Sequence, residues 1–330
     1  MVYYNLKTPN QKVGLDFLDA KGTVIQSFTS DMDADAAADS VRLETIRAGR
    51  VDSLVKAGIT RDSAVKLAAR PSPSAAAGGD GGGGGGDGPP RRAQRPRVPN
   101  MAGLNTFAWN LRYPDAVTFD NIIMWAASTT GPIAPPGTYA VRMTAGSEIQ
   151  TQPLKILKDP RSSATAADLQ EQFRLLVAIR DKTTEANNAI RMVRNMRYNV
   201  GDRSGKLSGA PATEFKTLAD GMMQELTTSE REVYQTRNES GQDPLNFPIR
   251  LNNEIAGVAS FVGQGEYRPT KQSYQVFEEL KVELDAQLKA IKASMDGNLP
   301  KLNAILRAAG LQELKASTEE IKAGKPNVAM

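Results

Sequence analysis

Up to Ile156 apolar residues recur at every second position wherever a strand can be drawn, and from Thr165 onward they recur every three or four. That change of period divides the chain into a β part and a helical part. The clearest strand is Pro135-Pro136-Gly137-Thr138-Tyr139-Ala140-Val141-Arg142-Met143. Proline and glycine mark the turn before it, and Tyr139, Val141 and Met143 alternate with Ala140, Arg142 and Thr144 as a half-buried strand does. Val13, Leu15 and Phe17 alternate before the turn Asp19-Ala20-Lys21-Gly22. Phe107, Trp109 and Leu111 do so before Pro114, and Leu154 and Ile156 before Asp159-Pro160. Short strands separated by turn chemistry predict an antiparallel sandwich. Trp109 shares a strand face with Phe107 and Leu111, so it is expected to be buried.

The β pattern is interrupted after Phe28. Residues 39–70 are charged and alanine-rich, with Val41, Ile46, Leu54, Val55, Ile59, Val65 and Leu67 at approximately helical spacing, which predicts two short helices. Pro71 to Pro99 follows, with glycine unbroken from Gly81 to Gly86, the pair Pro89-Pro90, and Arg91, Arg92, Arg95 and Arg97. Such a segment buries too little apolar surface to offset its ordering entropy, and reads as a flexible surface loop. Strand signals resume at Leu104, so residues 32–101 are expected to be an insertion between strands of one domain. Closing a long insertion costs entropy that grows only logarithmically with length. The β domain then covers 1–158, with its strands in 1–30 and 100–158.

Thr165-Ala166-Ala167-Asp168 has the form of a capping box with Asp in the place of Glu, and Leu169, Phe173, Leu176, Thr183, Ile190 and Val193 continue as a helical stripe. A second helix runs from about Pro211 with Phe215, Leu218, Met222 and Leu226 on one side; a third carries Leu251, Ile255, Val258 and Val262. The fourth starts after Pro269-Thr270 and has Tyr274, Phe277, Leu284, Leu288, Ile291 and Met295 along its seam. Gly297 and Pro300 are expected to kink or end it, because an interior proline loses a hydrogen bond and clashes with the preceding turn. Leu302, Ile305, Leu306 and Leu311 extend the core. Four helices joined by loops predict an antiparallel bundle over 165–320, with a tail at 321–330. The fold class is therefore α+β and multidomain, which 330 residues allow.

The chemistry open to the chain is narrow. It has 0 Cys and 0 His, so there is no disulfide, thiolate nucleophile, Ser-His-Asp triad or histidine-ligated metal. What remains is carboxylate work, lysine and oxygen-ligated cations, and no carboxylate pair stands out. No catalytic residue, cofactor, metal or small-molecule substrate is expected. A net charge of +4 is too mild to imply nucleic acid unless it is concentrated. The longest apolar run, Ile122 to Ala127, falls far short of the roughly 20 residues of a membrane span. The opening Met1-Val2-Tyr3-Tyr4-Asn5 has neither a basic nor an apolar leader region, so no signal peptide is expected in the chain as given. Strand residues begin at once, which favours a mature or partial chain over a cytosolic one.

Candidate sites compete with plainer readings. Asp31-Met32-Asp33-Ala34-Asp35 imitates the start of a calcium loop, but Ala36 and Arg42 stand where glycine and a bidentate glutamate belong, so a solvated acidic turn is preferred. The glycine run lacks the flanking strand, helix and Lys-Ser/Thr of a phosphate loop. Arg191, Arg194 and Arg197 recur near a helix end as either an anion-binding face or a solvated stripe favoured by the helix C-terminus. Arg91, Arg92, Arg95 and Arg97 can grip an acidic partner or simply confer solubility. In Gln242 to Asn253, Asp243, Asn246, Asn252 and Asn253 form either a polar recognition cluster or, as preferred, loop backbone partners, with Leu245 and Phe247 closing the bundle end.

Taken in order, Gly103-Leu104-Asn105-Thr106-Phe107-Ala108-Trp109-Asn110-Leu111-Arg112-Tyr113-Pro114, then Ala134-Pro135-Pro136-Gly137-Thr138-Tyr139, then Asp159-Pro160-Arg161 and the Gln242 to Asn253 segment resemble the C-terminal region of large exported bacterial proteins of the sortilin-like or BNR-repeat glycosyl-hydrolase type. In that family a signal peptide and β-propeller precede an Ig-like sandwich and a helical region. The resemblance implies an Ig-like sandwich followed by a bundle, and an extracytoplasmic, most naturally periplasmic, setting. The propeller is absent here, so any glycosidase activity in the family name brings no catalytic residue to this sequence. The expected function is that of a non-catalytic interaction or scaffold protein, a membrane-extrinsic subunit of a larger protein complex. One concrete candidate, which no residue establishes, is a photosynthetic reaction centre with its antenna. The partners are other protein subunits, contacted through Arg91, Arg92, Arg95, Arg97, Arg191, Arg194 and Arg197. The rivals are a carboxylate-based glycoside hydrolase and a carbohydrate-binding module using Trp109 or Trp125.

Overall fold

The computed structural model describes residues 1–31 and 96–319, with isolated positions between 51 and 63. It is a mixed α+β structure, with two antiparallel sheets and four α-helices among the described residues. Their described residues form two compact units, one from Met1–Asn110 and Gly137–Ile156, the other from Leu111–Pro136 and Leu157–Met330. The expected helices in 39–70 lie largely outside the described residues, as do the glycine run, Arg91, Arg92, Arg95 and the tail.

In the β unit, β1 (Val2–Leu6) pairs with β4 (Gly103–Phe107), while β2 (Val13–Leu18), β3 (Val24–Thr29), β5 (Gly137–Ala145) and β6 (Glu148–Ile156) form a sheet of order β3-β2-β5-β6. The β2–β3 turn is an Asx turn, in which Asp19 Oδ1 accepts from the N–H groups of Lys21 and Thr23. Val13, Leu15 and Phe17 are fully buried, as their alternation predicts. Phe17 stacks on Trp109 at 4.4 Å between centroids and meets Phe28 edge-on, and Phe28 lies 4.8 Å from Phe107. Aromatic side chains of both sheets thus share one core.

Trp109 is buried, at 7 % exposed, as expected. The strand itself stops earlier, at Phe107, and Leu111 adopts φ 61°, a left-handed conformation that ends the extended run. The chain also returns to this unit before Leu104. Val98 is fully buried and donates its N–H to Thr29 O at 3.1 Å, Asn10 N–H reaches Asn100 O at 2.8 Å, and the Tyr4 hydroxyl donates to Pro99 O.

The helical unit contains α1 (Ala166–Ser204), α2 (Gly209–Val233), α3 (Leu251–Val262) and α4 (Lys271–Ala308). The capping box closes as read: Thr165 Oγ1 accepts from Asp168 N–H, and Asp168 accepts from Thr165 N–H. Thr270 caps α4 in the same sense through Ser273 N–H. One apolar cluster joins Ile179, Ile190, Val233, Ile255 and Leu284; another joins Met196, Phe215, Leu226, Met295 and Leu302. Pro300 does not end α4, which continues to Ala308. Leu302 and Leu306, beyond the proline, are fully buried, and that burial outweighs one lost hydrogen bond.

The segment Leu111–Pro136 groups with the helices although the alternation on either side of it belongs to strands. Its two arms run antiparallel, with Tyr113 N–H on Pro132 O, Ala134 N–H on Leu111 O and Ala116 N–H on Thr129 O. Gly131 makes that approach possible, because a Cβ there would lie 2.1 Å from Tyr113 O.

Candidate functional site

Several polar side chains of the helical unit, buried or half-buried, converge on the backbone of 114–126. Thr184 Oγ1 on α1 accepts from Val117 N–H at 3.1 Å, and Asn187 Nδ2 donates to Val117 O at 2.7 Å. Asn187 is itself held by Asn252 Nδ2 on α3 at 3.1 Å. Asn253 grips both polar groups of one residue, accepting from Trp125 N–H at 2.6 Å and donating to Trp125 O at 2.9 Å. The Tyr234 hydroxyl accepts from Ile123 N–H at 3.1 Å. Burial pushes the Tyr234 phenol up, against lowering influences from Ile123 N–H and Arg194. A second extended stretch is held in the same way: Asn303 accepts from Leu314 N–H at 2.7 Å and donates to Leu314 O at 3.0 Å, while Asn195 Nδ2 donates to Ser317 O at 2.8 Å. An unpaired buried peptide group is costly, so these asparagines make non-helical backbone compatible with a packed helix surface.

The arginine stripe on α1 has an internal partner. Glu230 on α2, only 3 % exposed, accepts from Arg197 at 2.5 Å and faces Arg194 at 3.4 Å. The Arg194 guanidinium also lies 4.5 Å from the centre of the Phe119 ring, a cation–π contact. Arg191 is half-buried on the same helix. Arg97 is exposed and donates to Ser30 O. The structure therefore brings Arg194 and Arg197 together around a carboxylate and places Arg97 elsewhere in the β unit.

The Gln242 to Asn253 cluster divides similarly. Asp243 accepts from the N–H groups of Glu239 and Ser240, which hold its carboxyl below the usual range, while Asn253 serves the Trp125 backbone and Asn252 holds the Asn187 side chain. Phe247 lies under Arg237, with 4.0 Å to the ring centre, but Leu245 is 68 % exposed and closes nothing. Asp31 pairs with Lys12, and the rest of the expected acidic turn lies outside the described residues. Trp125 is 37 % exposed.

Two concavities bear on the candidate site. A cleft of about 460 Å³ lies between α1, α3 and residues 128–136. A shallower one of about 310 Å³ is lined by Glu232, Arg250, Glu254 and Glu283. Burial pushes the Glu254 carboxyl up, Glu283 adds to that, and Arg250 opposes it. Glu283 is exposed, so only Glu254 has an enclosed environment. Among the described residues no group of three or more acidic side chains is arranged to hold a metal ion.

No family model, curated protein or solved structure matches the chain. Asn253 serves loop backbone as preferred from the sequence, whereas Asn187, Asn195 and Asn303 were missed, and for Asn187 a signal was present. Asn187 falls between Thr183 and Ile190 on the apolar stripe of α1, where a polar side chain requires a partner.

Proposed function

We propose that this chain is a non-catalytic, extracytoplasmic scaffold subunit of a larger protein complex, built on an Ig-like sandwich and an antiparallel bundle. The observation that carries this reading is where five buried or half-buried polar side chains of the helical unit end. Asn187, Asn253, Tyr234, Asn195 and Asn303 serve the chain's own backbone, a use that makes surfaces rigid without activating any reacting group. Large apolar side chains meanwhile stand in solvent. Leu104 is 71 % and Tyr3 64 % exposed as diagonal neighbours on β4 and β1, and Phe261 is 70 % exposed. The resemblance supports a periplasmic setting, and no helix among the described residues is long and apolar enough to cross a membrane. A membrane-extrinsic subunit of a photosynthetic reaction centre and antenna is one assembly of the required kind.

In this reading Arg91, Arg92, Arg95 and Arg97 of the arginine-rich segment meet acidic partners, while Glu230 engages Arg194 and Arg197 internally. Gentle purification with mild crosslinking from the native source tests it. Replacing Arg91, Arg92 and Arg95 by Glu weakens the recovered complex, and more so at low salt, because peripheral charges act mainly on association rate and screening. A free monomer at every salt concentration, with nothing crosslinked, overturns the proposal. The raised carboxyl of Glu254 favours a second reading, a carboxylate-based glycoside hydrolase. Turnover of any member of a glycoside panel, lost in Glu254→Gln, would establish that reading instead.

A further inference from the structure

The four-stranded sheet of the β unit has two edges, and the chain treats them differently. Along β3 the returning chain adds to the ladder, with Val98 N–H on Thr29 O at 3.1 Å and Arg97 Nε donating to Ser30 O. Among the described residues, none outside β5 hydrogen-bonds to β6. Glu148 to Pro153 are all exposed, Ile149 at 66 %.

Which backbone groups of β6 face outward follows from the ladder. Ser30 N–H on Val13 O and Gly146 N–H on Lys12 O show that odd-numbered residues of β2 bond to β3 and even-numbered ones to β5. In β5 the even-numbered residues are thereby turned to β2 and the odd-numbered ones to β6, where their partners include Gln150, Gln152 and Leu154. Ile149, Thr151, Pro153 and Lys155 therefore direct their backbone groups away from the sheet. Proline at 153 costs the β5–β6 ladder nothing, because its missing N–H belongs to the outer edge. It blunts the C-terminal half of that edge, while Ile149 and Thr151 keep both donor and acceptor. Charge is confined to the ends of the strand, at Glu148 and Lys155.

From this edge we infer that two copies of the chain pair through β6, antiparallel about a twofold axis at Gln150, joining their four-stranded sheets into one. In that register Ile149 and Thr151 of each copy exchange N–H and C=O with Thr151 and Ile149 of the other, so all their outward groups are bonded. Centring the axis on Thr151 instead would set Ile149 C=O against Pro153, which has no N–H to give. Antiparallel pairing also turns the Glu148 end of each copy toward the Lys155 end of the other, whereas parallel pairing would bring like charges together. With β3 already engaged, the assembly closes at two copies. The pairing does not depend on the larger complex proposed above, and the purified chain alone tests it.

Sedimentation equilibrium of the full chain over a concentration series reads the dimer directly. Thr151→Pro removes one outward N–H, as Pro153 does already, and weakens dimerisation by about tenfold or more while leaving the circular dichroism unchanged. Gln150→Lys and Gln150→Glu each weaken it through like charges facing across the axis, and an equimolar mixture of the two restores association. Because the chain has 0 Cys, Gln150→Cys supplies a lone thiol that oxygen oxidises to a disulfide-linked dimer, non-hydrogen-bonded partners having Cα atoms about 4.5 Å apart. Gln152→Cys does not, since in this register the two copies of that position lie about 14 Å apart. A chain that stays monomeric at every concentration overturns the proposal. So does a dimer unaffected by Thr151→Pro and by both charge variants, or one that Gln152→Cys crosslinks as readily as Gln150→Cys.

Discussion

At Glu230 a carboxylate 3 % exposed is balanced by two guanidiniums that are themselves partly solvated, Arg194 at 36 % and Arg197 at 45 %. Its replacement by Ala leaves Arg194 over Phe119 without a counter-charge. The loss should be roughly 2–3 kcal/mol in urea denaturation, below the 3–5 kcal/mol of a fully buried pair because solvent reaches the arginines. Arg194→Glu should be no less damaging, so a test of partner binding by charge reversal must leave this residue alone. Tyr4 offers a pH-dependent case. Burial pushes its phenol up to about 12, and its hydroxyl donates to Pro99 O. A raised folded value means that its contribution is complete below the ordinary phenol value near 10 and is lost as pH rises from there towards 12. Tyr4→Phe should cost about 1 kcal/mol at neutral pH and flatten the alkaline limb of the melting curve. An unchanged alkaline limb would assign that lability elsewhere.

The elements of the helical unit are stabilised partly by what they hold. Asn253→Ala leaves the Trp125 N–H and C=O without their partner, at a cost of about 1–3 kcal/mol, and the Trp125 amide should exchange faster than in the parent protein. Gly131→Ala should be at least as harmful, because its Cβ meets backbone oxygen that no side-chain rotation can move. On α3, Glu254 has a raised carboxyl, so its charged form is disfavoured in the fold. The penalty is absent below the unfolded carboxylate value and complete once pH passes the folded one. Glu254→Gln should therefore raise the melting temperature at neutral pH and leave it nearly unchanged at pH about 4. A gain of the same size at both pH values would point to packing and not to charge.

For the whole molecule, the count of 0 His has a simple consequence. No side chain of ordinary pKa titrates between about pH 6 and pH 8, so the melting temperature should be nearly flat across that range and fall on both sides. On the acid side, Asp168 and Asp243 are held below the usual carboxylate range by hydrogen bonds from Thr165 and from the backbone of Glu239 and Ser240. Their contribution is present above the unfolded value and lost as pH falls through the folded one. The sequence by itself determined the features that depend on neighbours in the chain: the β2 alternation, the burial of Trp109, the capping box at Thr165, the start of α4 at Thr270, and the exclusion of thiol and imidazole chemistry. Period, turn residues and caps act over a few residues, and composition requires no fold at all. Only the tertiary structure decided that α4 continues through Pro300, that Leu111–Pro136 belongs with the helices, and that Arg194 and Arg197 face Glu230. Each of those outcomes depends on residues far apart in sequence, where burial of Leu302 and Leu306 outweighs a missing N–H and where asparagines on α1 and α3 satisfy a backbone that no local pattern pairs with them.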